Sequence, residues 1–361
     1  MSEQSQARPR PAVPSRTKRF VGRRVADVHG RRSDVALLEP VPGIQQLMTW
    51  LTPSFYIDLG RPCNSACLYC AVPPHEDAQG FTPLGRVPEM IEAGRAVGCD
   101  RSILIGGEPT IYPHLNEVLN QLRRAGLERD HIIMTNGLRL AKANVAKELF
   151  EAGVDTFHIS VDTSDPAIYD RLSRSTGRHA MQGKGLEAAL ATGANVYIYT
   201  AVTAVNAPGL PALAEWIAAR AETVGREMPP WILAVIKPIG DGEKYADQLL
   251  MRPDQAVSSV RAGLGRADQL GITAGFRNIQ ACLAPDLVNR NIDYYLDDFS
   301  VDVQTGLRVI YSHTEYWSKP SDACGQCAHQ QLCTGIYRQM ALRYGEQWWS
   351  PIEARGLRKD L

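Results

Sequence analysis

The sequence predicts an α/β fold, a partial (βα)6 TIM-like barrel over residues 51–245, followed by a small C-terminal domain over 246–361. Three observations predict it. From Phe55 to Ile239, short apolar runs alternate with amphipathic stretches, the pattern of a parallel sheet with helices outside it. Crossovers between parallel strands are right-handed, so six successive units curl in one direction. The two stretches densest in chemistry-bearing residues each follow one of these runs, and α/β barrels collect their chemistry at the carboxyl ends of their strands.

Residues 1–50 precede the barrel. Within 1–32, nine Arg or Lys stand against Glu3 and Asp27, with Pro9, Pro11 and Pro14 and few large apolar residues. Such a segment cannot bury a core and is expected to be a mobile, solvated extension. Phe55–Leu59 is the first expected strand and leads into a cysteine-rich loop. The second is Arg101–Ile105, a short apolar run of the kind buried in a parallel sheet. His131–Thr135 is the third and ends at Asn136-Gly137. Thr156–Val161, Val196–Val202 and Trp231–Ile236 are the fourth, fifth and sixth. Helices are expected between them, among them His114–Ala125, Ala141–Ala152 and Leu210–Thr223.

The bulk numbers exclude several classes. Lys+Arg and Asp+Glu are both 39 in 361 residues, so no global field favours nucleic acid or an anionic membrane. No apolar stretch approaches the roughly 20 residues that span a bilayer, and the N-terminus lacks an apolar signal core. A soluble cytoplasmic protein is expected. Its eight cysteines are then thiols or metal ligands rather than disulfides.

Cys63, Cys67 and Cys70 lie in Arg61-Pro-Cys-Asn-Ser-Ala-Cys-Leu-Tyr-Cys70, a C-x3-C-x2-C run. Three thiolates this close suit three irons of a [4Fe–4S] cube. With no fourth protein ligand nearby, one iron is left for something that is not protein. The alternative is zinc, whose structural sites want four ligands. Gly106-Gly-Glu-Pro109 follows the second strand. Its glycines permit close backbone approach to a ligand, and Glu108 supplies an acceptor for an ammonium. The bland reading is an ordinary strand-to-helix turn.

Together these motifs resemble the radical S-adenosylmethionine (radical SAM) superfamily, with the resemblance covering about residues 54–240. It implies that the open iron binds the amino and carboxylate groups of S-adenosyl-L-methionine. It also implies that the reduced cluster cleaves the sulfonium to a 5′-deoxyadenosyl radical, the electron coming from a flavodoxin- or ferredoxin-type donor. Gly106, Gly107, Glu108 and Pro109 would contact the methionine amino group. Ser160, with Arg171 or Arg174 after it, would meet the carboxylate, and Tyr69 would lie against the adenine. Asn136 is a further candidate contact at a strand end, as are Thr200, Thr203 and Asn206. All four are also ordinary turn or cap residue types. Ser160 to Leu172 is similar to the molybdopterin-precursor branch of the superfamily.

The C-terminal set Cys324-Gly-Gln-Cys327-Ala-His-Gln-Gln-Leu-Cys333 is C-x2-C-x5-C. It resembles the SPASM and Twitch extensions that carry auxiliary [4Fe–4S] clusters. Cys282 precedes an expected hairpin, Asp298–Val303 and Leu307–Tyr311, with a turn at Gln304-Thr-Gly306. The usual cysteine after the hairpin is absent, since Tyr311, Ser312 and His313 stand there, and so is the last one near Tyr337. Four cysteines remain, enough for one fully ligated auxiliary cluster, with tetrahedral zinc as the alternative. Cys99 precedes the second strand and reads as a buried structural thiol. Tyr197 and Tyr199 read as packing residues.

The resemblance implies a biosynthetic enzyme that abstracts a hydrogen atom from a sugar-like or small-metabolite substrate. Oxidation of an alcohol would need a base, and Asp162 and Lys237 are the chosen candidates near strand ends, beside Asp241 and Glu243. Alternatives are a peptide maturase, a molybdopterin-precursor-type cyclase, and an iron–sulfur electron carrier or redox-sensing protein without turnover. No strand-rich leader-binding module is read before residue 50, which weighs against a peptide.

Overall fold

The computed structural model describes residues 54–71, 80–96, 99, 101–127, 131–294, 300–302, 308–309, 317–318, 322–327, 329–330, 333 and 335–349. The expected N-terminal extension lies outside them, as do the hairpin turn at Gln304–Gly306 and Tyr311, Ser312 and His313.

Seven strands run parallel in chain order: β1 (Ser54–Asp58), β2 (Arg101–Ile105), β3 (His131–Thr135), β4 (Val154–Ser160), β5 (Asn195–Val202), β6 (Trp231–Val235) and β7 (Ala274–Arg277). Each pairs with its predecessor, as in Ile57 beside Leu104 and Thr200 beside Leu233. The six expected strands are present, with ends that agree within two residues. β7 is an addition to them. It has only four residues, one a glycine, too short for an apolar run to announce it. Its pairing with β6 supplies what its length does not.

The expected hairpin is present as β8 (Ser300–Asp302) and β9 (Arg308–Val309), antiparallel to each other. β8 lies parallel to β1, so the nine-stranded sheet is open, with β7 and β9 at its edges. This is the α/β architecture of a partial TIM-like barrel. β10 (Trp317–Ser318) and β11 (Ile336–Tyr337) form a separate small ribbon.

Helices α1 (Val87–Ala96), α2 (Leu115–Arg124), α3 (Val145–Glu151), α4 (Pro166–Ser173), α5 (His179–Ala191), α6 (Leu210–Thr223) and α7 (Pro253–Gln269) connect the parallel strands, and α8 (Arg338–Tyr344) follows β11. Helix α2 shows why they form. Leu115, Val118, Leu119 and Leu122 recur at helical spacing and are buried, one apolar stripe against the sheet. Helix α4 starts where Asp165 accepts from Ala167 N (2.7 Å) and Ile168 N (3.2 Å), with Pro166 in the first turn.

The sheet is apolar on both faces, which is why its strands read as near-continuous apolar runs. Phe55, Ile57, Leu104, Ile133, Phe157, Ile198, Trp231 and Leu233 belong to the larger, helix-covered layer. Each such side chain contributes about 1.5–3 kcal/mol by burial. Cys99, 3% exposed, lies in this layer as a structural thiol. The inner face is a smaller layer of Ile103, Ile132, Tyr197, Ile232 and Ile292, flanked by Tyr56, Met134 and Tyr199. Tyr197 and Tyr199 are packing residues, as expected.

Candidate functional site

The loop after β1 carries Cys63, Cys67 and Cys70, and four neighbours hold it in place. Asp58 starts it, accepting from Gly60 N (2.9 Å) and Arg61 Nη1 (2.8 Å). The β2 exit docks next: Gly107 N donates to Gly60 O (2.8 Å) and Glu108 N to Pro62 O (3.0 Å). The carboxyl end of α4 takes the middle, with Ala66 N on Ser173 O (3.0 Å) and Leu68 N on Leu172 O (2.9 Å). The β6 exit closes it, where Asp241 N donates to Cys70 O (2.9 Å).

Three glycines make this packing possible. A Cβ on Gly106 would stand 2.6 Å from Gly60 O. One on Gly107 would stand 2.3 Å from both Arg61 O and Pro62 O, and one on Gly240 would stand 2.5 Å from Cys70 O. The close approach expected of Gly106 and Gly107 is therefore made to the cysteine loop itself.

Glu108 is only 2% exposed. Its Oε1 accepts from Thr110 N (3.1 Å), Thr110 Oγ1 (2.5 Å) and Thr135 Oγ1 (2.6 Å), and its Oε2 from Asn136 N (2.7 Å). The carboxylate thus ties the β2 and β3 exits together, in addition to any role toward an ammonium. Burial pushes its pKa up while these donors pull it down. Pro109 is buried at the start of the single turn that Glu108 caps. Asn136 reaches the loop, its Nδ2 donating to Asn64 Oδ1 (2.6 Å).

At the β4 exit, Ser160 O accepts from Gln182 Nε2 (2.9 Å), which also reaches Asn136 O (3.2 Å). Asp162 receives the Tyr69 hydroxyl on Oδ2 and Ala201 N on Oδ1 (2.8 Å). Burial raises the Asp162 pKa to about 6 and the Tyr69 pKa well above its usual value. The Tyr69 hydroxyl is therefore engaged by the protein. Thr200, Thr203 and Asn206 are structural. Thr200 Oγ1 donates to Val161 O (2.5 Å), and Asn206 Oδ1 accepts from Thr203 N and Oγ1 (2.8 Å each).

The arginines divide differently from expectation. Arg171 is exposed on α4. Arg174, left-handed at φ 52°, reaches Tyr245 Oη (3.4 Å). Arg178 touches the cysteine loop, donating to Asn64 O (2.7 Å). Sequence reasoning missed Arg178, Gln182 and Gly240. Only Gly240 had a legible signal, a glycine after a strand like Gly106. Lys237, after β6, lies 5.3 Å over the Tyr337 ring.

Along the inner face near the ends of β4 to β7 stands a polar group. His158 packs edge-on to Tyr199 at 5.1 Å. Arg277 Nε donates to Asp293 Oδ1 (2.8 Å), and Asn278 N donates to Asp293 Oδ2 (2.5 Å). Burial, then the Arg277 charge, lower the His158 pKa from 6.5 to about 4. The folded ring stays neutral where the unfolded chain takes up a proton. Stability is full above about pH 6.5, declines as pH falls, and stops declining near pH 4, a total of roughly 3 kcal/mol. His158→Gln is expected to flatten the fall in melting temperature between pH 7 and 5. Unchanged pH dependence in thermal melts would contradict this assignment.

Cys63, Cys67 and Cys70 carry the donor atoms that a [4Fe–4S] cluster takes. Burial raises the Cys67 pKa to about 12, with Asp162, Cys63 and Cys70 adding to it. Burial likewise raises Cys282 to about 12, and Cys333, Cys327 and Cys324 each add. Cys63, Cys67 and Cys282 are thus each held as thiols in part by neighbouring sulfurs, an arrangement that a cationic metal centre relieves. Backbone N–H groups point at sulfur in both sets: Ser65 N at Cys63 Sγ (3.4 Å) and Gly335 N at Cys333 Sγ (3.3 Å). Among the described residues, no three His, Cys, Asp or Glu side chains already stand in closed metal-holding geometry.

Comparison with known proteins agrees with this geometry. The radical SAM superfamily profile matches residues 57–217. A probable GTP 3′,8-cyclase of Methanopyrus kandleri is 28% identical over 210 residues, 58% of this chain and 62% of that protein. A GTP 3′,8-cyclase of Nitrobacter hamburgensis is 30% identical over 199 residues, 52% of this chain and 54% of that protein. The chain thus matches little more than half the length of these relatives. In fold it resembles Streptococcus suis SuiB bound to precursor peptide SuiA, with a TM-score of 0.60 at 12% identity over 85% of this chain and 77% of that one. Residues 57–217, the span that holds the cysteine loop and the exits of β1 to β5, are thus a radical SAM domain.

Proposed function

We propose that this chain is a radical SAM enzyme acting on a small, polar, sugar-like metabolite. The radical SAM domain implies a [4Fe–4S] cluster and S-adenosyl-L-methionine, and Cys63, Cys67 and Cys70 would hold that cluster. When bound and reduced, it supplies one electron to S-adenosylmethionine, giving methionine and a 5′-deoxyadenosyl radical that takes a hydrogen atom from substrate. Cys282, Cys324, Cys327 and Cys333, in the stretch 246–361, would hold an auxiliary cluster. An external one-electron donor completes the reaction.

The observation that carries this reading is the convergence of five strand exits on one cysteine loop. The exits of β2 and β6 hydrogen-bond it through the backbone, β1 through the Asp58 carboxylate, β3 through Asn136 and β4 through Asp162. The chain's own residues bind, orient and exclude water. Arg178 and Asn136 fix Asn64 between the first two cysteines. Glu108 keeps the β2 and β3 exits at one level.

The inner-face group supports a neutral polar substrate. Arg277 is offset by Asp293, and His158 is neutral, whereas a triphosphate calls for excess cations. A second reading, cyclisation of GTP, draws on the two relatives above. The test is anaerobic incubation of reconstituted protein with S-adenosylmethionine and dithionite. Release of 5′-deoxyadenosine is expected, and none from fully iron-loaded protein would favour a binding or electron-carrier role. Conversion of GTP in the same assay would select the second reading.

A further inference from the structure

Tyr69 and Asp162 are 93 residues apart in sequence, yet the Tyr69 hydroxyl donates to Asp162 Oδ2. Tyr69 stands in the turn that Cys70 N closes onto Cys67 O (3.2 Å). The other carboxylate oxygen, Oδ1, accepts from Ala201 N (2.8 Å). Asp162 is also held through its main chain, because Asn206 Nδ2 donates to Asp162 O (2.7 Å) and to Ala201 O (3.0 Å). Only 9% of Asp162 is exposed.

A general base must present a lone pair within hydrogen-bond reach of the substrate proton. Asp162 instead has a protein donor on each oxygen and is buried between the exits of β4 and β5. Sequence reasoning placed it among the bases because it follows a strand. We propose that Asp162 is a positioning residue. With Tyr69 it forms a strut that fixes the Cys67–Cys70 turn against the ends of β4 and β5. This rests on the reading that Cys63, Cys67 and Cys70 carry the superfamily's cluster.

Both residue types follow from this role. Asparagine has one acceptor oxygen and one donor amide, so it can serve only one of the two donors that Asp162 receives. Phenylalanine fills the Tyr69 ring volume but leaves the buried carboxylate without its phenol. The other anchors of the loop, the backbone bonds of Ala66, Leu68, Glu108 and Asp241 and the side chains of Asp58, Asn136 and Arg178, are untouched by either substitution. Tyr69 therefore sets the turn between the anchors at Leu68 and Cys70.

The test uses the full chain as wild type, Tyr69→Phe, Asp162→Asn and the double variant. Hydrogen exchange of residues 61–71 is followed by mass spectrometry, whatever the iron content. Each single variant is expected to speed exchange in this segment about tenfold, the effect of losing one hydrogen bond to a charged acceptor. The double variant is expected to exchange no faster than Tyr69→Phe, because loss of the phenol already cuts the link to Asp162. Exchange in α2 serves as the control for global unfolding. In iron-loaded protein the electron paramagnetic resonance spectrum with S-adenosylmethionine is expected to change in both single variants.

Wild-type exchange rates in Tyr69→Phe would overturn the strut, and so would multiplied effects in the double variant. If Asp162→Asn does not fold, Tyr69→Phe decides alone. A base role gives a different signature: Asp162→Asn loses product while still releasing 5′-deoxyadenosine, and Tyr69→Phe is silent. Failure of wild-type protein to hold iron would sink the cluster reading while the exchange result still judges the strut.

Discussion

Cys67→Ala is expected to bring 5′-deoxyadenosine release from S-adenosylmethionine and dithionite down to the rate without protein. Cys67 is the middle of the three thiols, and its neighbours on both sides are fixed by hydrogen bonds from Ala66 N and Leu68 N to the end of α4. No other cysteine can take its place. Cys99 lies in the helix-covered layer, and Cys282 is grouped with Cys324, Cys327 and Cys333. Burial keeps Cys67 protonated without metal, at a pKa of about 12. The ligand form is a thiolate, so cluster insertion must displace its proton, and that gain is lost with the sulfur. Cys99→Ala is the matched control and should keep iron and activity, at a packing cost alone. Retained cleavage in Cys67→Ala would refute the assignment of the first cluster.

Gly107→Ala is expected to have the second-largest effect. Its Cβ would stand 2.3 Å from two backbone carbonyls, those of Arg61 and Pro62. Neither can move without displacing the loop that carries Cys63. The hydrogen bonds from Gly107 N to Gly60 O and from Glu108 N to Pro62 O would be broken or stretched. Overpacking of this kind costs about 1–3 kcal/mol and sometimes more, several degrees of melting temperature for a domain of this size. Iron content after reconstitution should fall along with it. Gly265→Ala on α7 is the contrasting variant, since nothing lies within 4 Å of its Cβ. Helix propensity alone should make that variant slightly more stable, by about 0.5–1 kcal/mol. Equal melting temperatures and iron content in Gly107→Ala and wild type would show that the loop does not sit against the β2 exit.

The strands were legible because each is a short apolar run buried on both faces, and such runs stand out against the helices between them. The cysteine spacing and the Gly106-Gly-Glu-Pro109 turn were legible because their chemistry is local. Strand β7 was not, because Ala-Gly-Phe-Arg carries no periodicity and gains its place only from β6. The arginine that meets the cysteine loop is Arg178, four residues beyond Arg174. The left-handed residue at Arg174 turns the chain after α4, and no residue type announces that change of direction.

The inward turn of Glu108 illustrates the same limit. The sequence places a carboxylate after two glycines. It does not say that Thr110, Thr135 and Asn136 all aim donors at it, because those residues come from two strand exits. Asp162 differs from Lys237 in the same way. Both follow strands, but one is held by Tyr69 from the cysteine loop and the other lies over Tyr337.

Alone, the chain of residues determined the α/β class, the order of six strands and the identity of two cysteine sets. Those features depend on neighbours within a few positions. Folding decided which exits touch, that the paired glycines serve the cysteine loop, and that Asp162 receives a phenol from 93 residues away. Such contacts require many packed side chains to bring distant backbone together, and no local pattern encodes the sum.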